Sequence, residues 1–158
     1  MDIDEGCFKK DAISILESAP DLYLILTKDF KVIGMSQAYL NATKTERQNI
    51  LGLTIFDVFP NNPKELGTTE LDNLRKSLNR VLINKKPYTM TVLQQDIHQP
   101  MSNGQYKNCY WSVLNSPVLD KNTKVKYIIH RIVDITPFVQ EGTLSKKMAE
   151  EIHQYVYS

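Results

Sequence analysis

The 158-residue chain is the size of one domain, and its 42% hydrophobic and 23% charged residues are an ordinary globular balance with enough apolar material for a core of its own. Nineteen basic against 18 acidic residues leave a net charge of +1, which gives no global attraction for nucleic acid or for an anionic membrane surface. The apolar runs, such as Leu22 to Leu26, fall far short of the roughly 18 residues that span a bilayer, and Asp2, Asp4 and Glu5 stand where a secretory signal would be basic, so a cytoplasmic location without a membrane partner is expected.

Phe8, Ala12, Ile15, Leu16 and Ala19 recur at helical spacing before Pro20, which predicts a short amphipathic helix over 8–18. Its apolar stripe suits either its own domain or a dimer contact. Leu22–Thr27 and Phe30–Met35 are apolar runs joined at Lys28 and Asp29, a first hairpin. Ser36 can cap a helical segment holding Ala38, Tyr39 and Leu40. A second piece begins at Thr45, Glu46 and Arg47 and stops at Gly52, and Ile55 to Phe59 form a further turn or two before Pro60. After a loop at Asn61, Asn62 and Pro63, the stripe Leu71, Leu74, Leu78, Val81 and Leu82 predicts a helix over 69–86, ended by Pro87.

Tyr88–Ile97 reads as a strand, and Pro100, Ser102, Asn103 and Gly104 as the following loop. Tyr106 to Phe138 then carries two β-rich runs around a connection of about five residues, too short for a parallel crossover, so the two strands are antiparallel. Hairpin, several helices, then three strands is the order of an α+β domain with helices over one face of an antiparallel sheet.

The strand-to-helix junction Asp134, Ile135, Thr136 resembles the Asp-Ile-Thr junction that closes PAS sensory domains. Together with YLILTKDFKVIGMSQAYL, ILGLTIFDVFP, NLRKSLNRVL, YWSVLNSPVL and VKYIIHRIVDIT, it makes the chain, from about Ile13 to Thr136, similar to a bacterial PAS branch that often precedes histidine-kinase machinery. The resemblance implies a five-stranded sheet in the order 2-1-5-4-3 with a ligand cavity between sheet and helices. It divides the chain into an N-terminal flanking helix (1–19), a PAS domain (20–137) and a C-terminal signalling helix (138–158). It also implies a sensory and dimerisation module, the input domain of a histidine kinase or related regulator, with any kinase activity outside these 158 residues.

On the last strand side chains alternate, so either His130 or Arg131 faces the helices, and His130 is read as the inward one. It is a candidate polar anchor in a mostly apolar cavity, or else a buried histidine bonded to a strand neighbour. Tyr23, Tyr39, Phe56, Phe59, Met90, Val92, Trp111 and Ile132 are the further candidate lining, each equally readable as plain core. Asp134 as a hydrogen-bonding clasp and Thr136 as the helix N-cap are the expected relay to the C-terminal helix, whose Leu144, Met148, Ile152 and Tyr155 form one apolar stripe suited to pairing in a homodimer.

The ligand or cofactor is not identified by the sequence. The 69–86 helix has no histidine, so the usual haem-ligating position of PAS haem sensors is absent. Asn108 and Cys109 match just two letters of the Asn-Cys-Arg-Phe-Leu-Gln flavin motif, which argues against covalent flavin and leaves non-covalent flavin open. His98, His130 and His153 lack metal-ligand spacing, Cys7 and Cys109 make no C-x-x-C pair and read as reduced thiols, and no glycine-rich phosphate loop is present. Two other classes compete with a ligand sensor. One is a ligand-free interaction domain with its interior filled by Met and aromatic side chains. The other is a small-molecule enzyme, for which the only hint of an acid/base pair is His130 with Asp134, and at about 13 Å along a strand they are too far apart for direct contact.

Overall fold

The computed structural model describes residues 5–58, 68–100, 102–104 and 106–140. In chain order the elements are α1 (Glu5–Ser18), β1 (Leu22–Thr27), β2 (Val32–Met35), α2 (Gln37–Thr43), α3 (Arg47–Ile50), α4 (Ile55–Val58), α5 (Thr68–Asn84), β3 (Tyr88–Pro100), β4 (Tyr106–Leu119), β5 (Val125–Asp134) and α6 (Thr136–Gln140). The strands make one antiparallel sheet in the order β2-β1-β5-β4-β3. Both the α+β architecture and the strand order are those expected from the sequence.

Strand alternation gives this sheet two different faces. Register pairs Leu24 with His130, Leu26 with Ile128, Asn115 with His130 and Val113 with Ile132, so these residues share one face. All seven are buried at 0–1% exposure, and they pack with Tyr39 of α2, Ile55 of α4 and Leu74, Leu78 and Val81 of α5 into one core. α5 lies on β3 and β4, and α2 on β1. The opposite face carries Tyr23, Ile25, Ile129, Arg131 and Val133.

Local chemistry explains where elements begin and end. Ser36 caps α2 by accepting the Tyr39 N–H at 3.1 Å. Asp120 closes the β4–β5 turn, its Oδ1 accepting the N–H groups of Asn122 (2.7 Å) and Lys124 (3.0 Å). β2 starts at Val32, two residues later than expected, because Phe30 adopts a left-handed φ of 68° and Lys31 bridges to Thr54. Thr27 holds that turn by accepting the N–H groups of Asp29 and Lys31 on its hydroxyl, both at 3.2 Å. The glycine common in such turns is replaced here by this bonding and by the packing of Phe30 on Phe56, with ring centroids 5.8 Å apart.

Three expectations are corrected. α5 ends at Asn84, since Lys85 turns left-handed at φ 55° ahead of Pro87. β3 runs on to Pro100, which an edge strand tolerates because its register is already broken between Asp96 and Pro100. α1 starts at Glu5, and its apolar residues are not sunk into the domain: Ile13, Ile15 and Leu16 are 66%, 52% and 47% exposed. No described helix is long and apolar enough to cross a membrane. Phe59 and the stripe Leu144, Met148, Ile152 and Tyr155 lie outside the described residues.

Candidate functional site

The inner face of the sheet is apolar except at its centre. There β4 brings Asn115 against His130 of β5, and α5 brings Ser77 over both. His130 Nδ1 lies 2.7 Å from Asn115 Oδ1, and Asn115 Nδ2 donates to Ser77 Oγ at 3.1 Å. Asn115 and His130 are fully buried and Ser77 is 7% exposed. With the amide oxygen turned to the imidazole, Nδ1 carries the proton. The same three side chains also admit the reversed set of bonds, in which the serine hydroxyl donates to the amide oxygen, the amide nitrogen donates to Nδ1 and the proton moves to Nε2. The interior thus contains a polar chain that joins a strand to the helix covering it and whose bonds can be drawn in either direction.

Electrostatics keep this chain neutral. Burial pushes the His130 pKa down from its ordinary 6.5 to about 4, and burial raises that of Tyr39. The buried polar residues, among those described, are Ser, Thr, Asn and His, with no Asp, Glu, Lys or Arg. An ionic group entering here would meet no buried counter-charge among the described residues.

Around the chain the structure brings together most of the expected lining. Val92 faces Trp111 and Met90 faces Val113 in the β3–β4 register, Ile132 faces Val113 across β4–β5, and Tyr39 closes the space from α2. Val92, Trp111, Ile132 and Tyr39 are buried, while Met90 is half-buried against the same core. Phe56 stands at the rim, half-buried on Phe30, with the Arg75 guanidinium of α5 stacked 4.1 Å above its ring. His130 faces inward and Arg131 outward, where it meets Asp21 at 3.1 Å.

Tyr23 is a correction. It pairs with Arg131 rather than with His130, so it lies on the other face of the sheet, and its hydroxyl donates to the Leu16 carbonyl of α1. Its burial comes from docking the N-terminal helix. Burial, with Asp21 and Glu17 nearby, raises its pKa. Asn115 and Ser77 are functional candidates that the sequence reading missed. Their signal was present, because Asn115 falls in phase with Trp111 and Val113, and Ser77 interrupts the helical stripe between Leu74 and Leu78.

At the end of β5 the two junction residues have roles different from those expected. Thr136 is the first residue of α6, and its hydroxyl accepts the Tyr110 N–H of β4 at 2.8 Å, so it is the clasp. The Asp134 carboxylate accepts the Thr136 N–H at 2.9 Å, so it supplies the cap. The Ile135 N–H donates to the Tyr110 carbonyl at 2.9 Å, completing a two-bond stitch between the start of α6 and β4. The sequence-suggested acid/base pair is thereby divided, with His130 bonded to Asn115 and Asp134 to the backbone.

No group of three or more metal-ligating side chains occurs among the described residues. Cys7 is exposed and Cys109 buried, and Asn108 and Cys109 stand on strand β4 and not on a flavin-type helix.

A family profile described as PAS fold matches residues 16–140. No curated protein sequence matches significantly. Among solved structures, a sensory box sensor histidine kinase from Vibrio cholerae aligns at 12% identity and TM-score 0.50, covering 85% of this chain and 98% of that one. The PAS domain of the fruit-fly ELK potassium channel aligns at 14% identity and TM-score 0.60, covering 82% and 98%. The PAS domain of BvgS from Bordetella pertussis aligns at 16% identity and TM-score 0.58, covering 84% and 92%. At these identities the likeness is one of fold.

Proposed function

The chain belongs to the PAS-fold family, and on that premise we propose that it is the sensory and dimerisation module of a bacterial signal-transduction protein, the cytoplasmic input domain of a histidine kinase or related regulator. The observation that carries this reading is the His130–Asn115–Ser77 chain inside an otherwise apolar interior, built on the same strand that ends in the Asp134–Thr136 junction. A small molecule among Tyr39, Phe56, Met90, Val92, Trp111, His130 and Ile132 that prefers one polarity of the chain shifts its population. β5 then carries the change to the stitch that holds α6. A neutral ligand suits this interior, which offers hydrogen bonds and, among the described residues, no buried counter-charge. The exposed Ile13 and Ile15 of α1 support pairing of two copies through the flanking helices.

Native mass spectrometry of the purified chain, followed by denaturing extraction and an absorption spectrum of the same sample, tests the reading. One small molecule per chain, released on unfolding, is the expected result. An empty chain that also binds nothing from a library of neutral heteroaromatic compounds would overturn the ligand part. It would favour the second reading, a ligand-free interaction module, for which the close packing of Met35, Tyr39 and Trp111 in the core speaks.

A further inference from the structure

Asp21, between α1 and β1, is held from two directions that both lead back to the interior. Its carboxylate meets Arg131 Nη2 at 3.1 Å, and Arg131 is the immediate neighbour of His130 on β5. Its carbonyl accepts the Ser36 hydroxyl at 2.7 Å. The same hydroxyl oxygen accepts the N–H groups of Tyr23 (3.2 Å) and of Tyr39 (3.1 Å), the latter on the helix that closes the interior. Ser36 is fully buried and its own N–H donates to the Tyr23 carbonyl at 3.1 Å. From this node the last turn of α1 is tied down by the Tyr23 hydroxyl on the Leu16 carbonyl and by Glu17 on Arg47 at 2.7 Å.

We propose that the α1–β1 junction at Asp21 is a second relay point, through which rearrangement of the sheet–helix interior changes how α1 is docked. One route runs along β5 from His130 to its neighbour Arg131, so a shift of the strand backbone at His130 moves the guanidinium that grips Asp21. The other runs from Tyr39 through the Ser36 oxygen to the Asp21 carbonyl. The Arg131–Asp21 pair is partly exposed, at 31% and 54%, and contributes little alone. The water-excluded bonds of Ser36 carry the larger share. The consequence falls on α1 because its C-terminal turn is what these bonds hold, while Ile13 and Ile15 face solvent. The device operates whether the interior is reset by a ligand or by a partner, and it does not depend on the α6 junction.

Hydrogen exchange followed by mass spectrometry on the full chain decides this, because coupling between two sites is reciprocal. Ser77→Ala, which alters the interior without touching α1, is expected to speed exchange of the Ile13–Ser18 amides by about three- to tenfold. Asp21→Asn with Arg131→Gln, at partly exposed positions that leave the core and the Ser36 bonds intact, is expected to speed exchange around Ser77 on α5 by a smaller factor, about twofold. If the Ser77 variant does not fold cooperatively, the second arm decides alone. Exchange in α1 unchanged by Ser77→Ala while α5 responds, or α5 indifferent to the Asp21/Arg131 pair, would overturn the proposal.

Discussion

His130 sits at the centre of the site because two separate constraints meet there. Its strand phase turns it inward, and burial keeps it neutral with a pKa of about 4 against 6.5 when exposed. A folded-state pKa below the unfolded value means that the unfolded chain takes up the proton first as pH falls. The stability that follows from a neutral His130 is therefore complete above pH 6.5 and drains away between 6.5 and about 4. Urea denaturation at pH 7.5 and 4.5 should show wild type losing roughly 2–3 kcal/mol more than His130→Gln over that interval; equal losses would place the imidazole in a water-like environment. Asn115→Leu removes both the acceptor of His130 and the donor to Ser77 and should cost about 2–4 kcal/mol at pH 7.5. That one of His130 and Arg131 turns inward was readable from the sequence through strand alternation. Tyr23 was not, because Leu22, Tyr23, Leu24, Ile25 and Leu26 are apolar on both faces, and such a run carries no phase. Asn115 was missed for the opposite reason: a polar residue in a strand reads as outward until a buried partner is known.

Among the elements, the ends matter more than the middles. The start of α6 is fixed by Thr136 reaching back to the Tyr110 N–H, a bond between residues 26 apart in sequence. Thr136→Val keeps the shape and removes the acceptor from a 5% exposed site. It should cost about 1–2 kcal/mol and raise exchange of the Tyr110 amide above that of its β4 neighbours. Asp134→Ala, at an exposed position, should cost less than about 1 kcal/mol, which thermal or chemical melts resolve against the threonine variant. The sequence identified this junction through its family pattern, but local spacing suggested the cap for Thr136 and the clasp for Asp134. The exchange of roles depends on β4 lying beside the junction, a long-range fact. Strand boundaries shifted for similar reasons, as at Phe30, where a left-handed turn is held by the Thr27 hydroxyl and by aromatic packing.

Across the whole molecule, one sheet face holds a neutral polar chain under α5 while the other receives α1 through Tyr23, and β5 touches both. The strand order and the segregation of helices to the inner face were legible as family pattern plus periodicity. The exposure of α1 was not, since an amphipathic stripe does not reveal what covers it. Sedimentation velocity at micromolar concentration should give a dimer, and Ile13→Asp, at a 66% exposed position, should give a monomer with an unchanged unfolding midpoint at low concentration. On the proposed relay, the interior and the α6 junction are energetically one system. A double-mutant cycle between Asn115→Leu and Thr136→Val, read by urea denaturation, tests it most directly. These positions share no bond, so independent sites would be additive within about 0.3–0.5 kcal/mol. The relay predicts a coupling energy of about 1 kcal/mol or more, and additivity would contradict it.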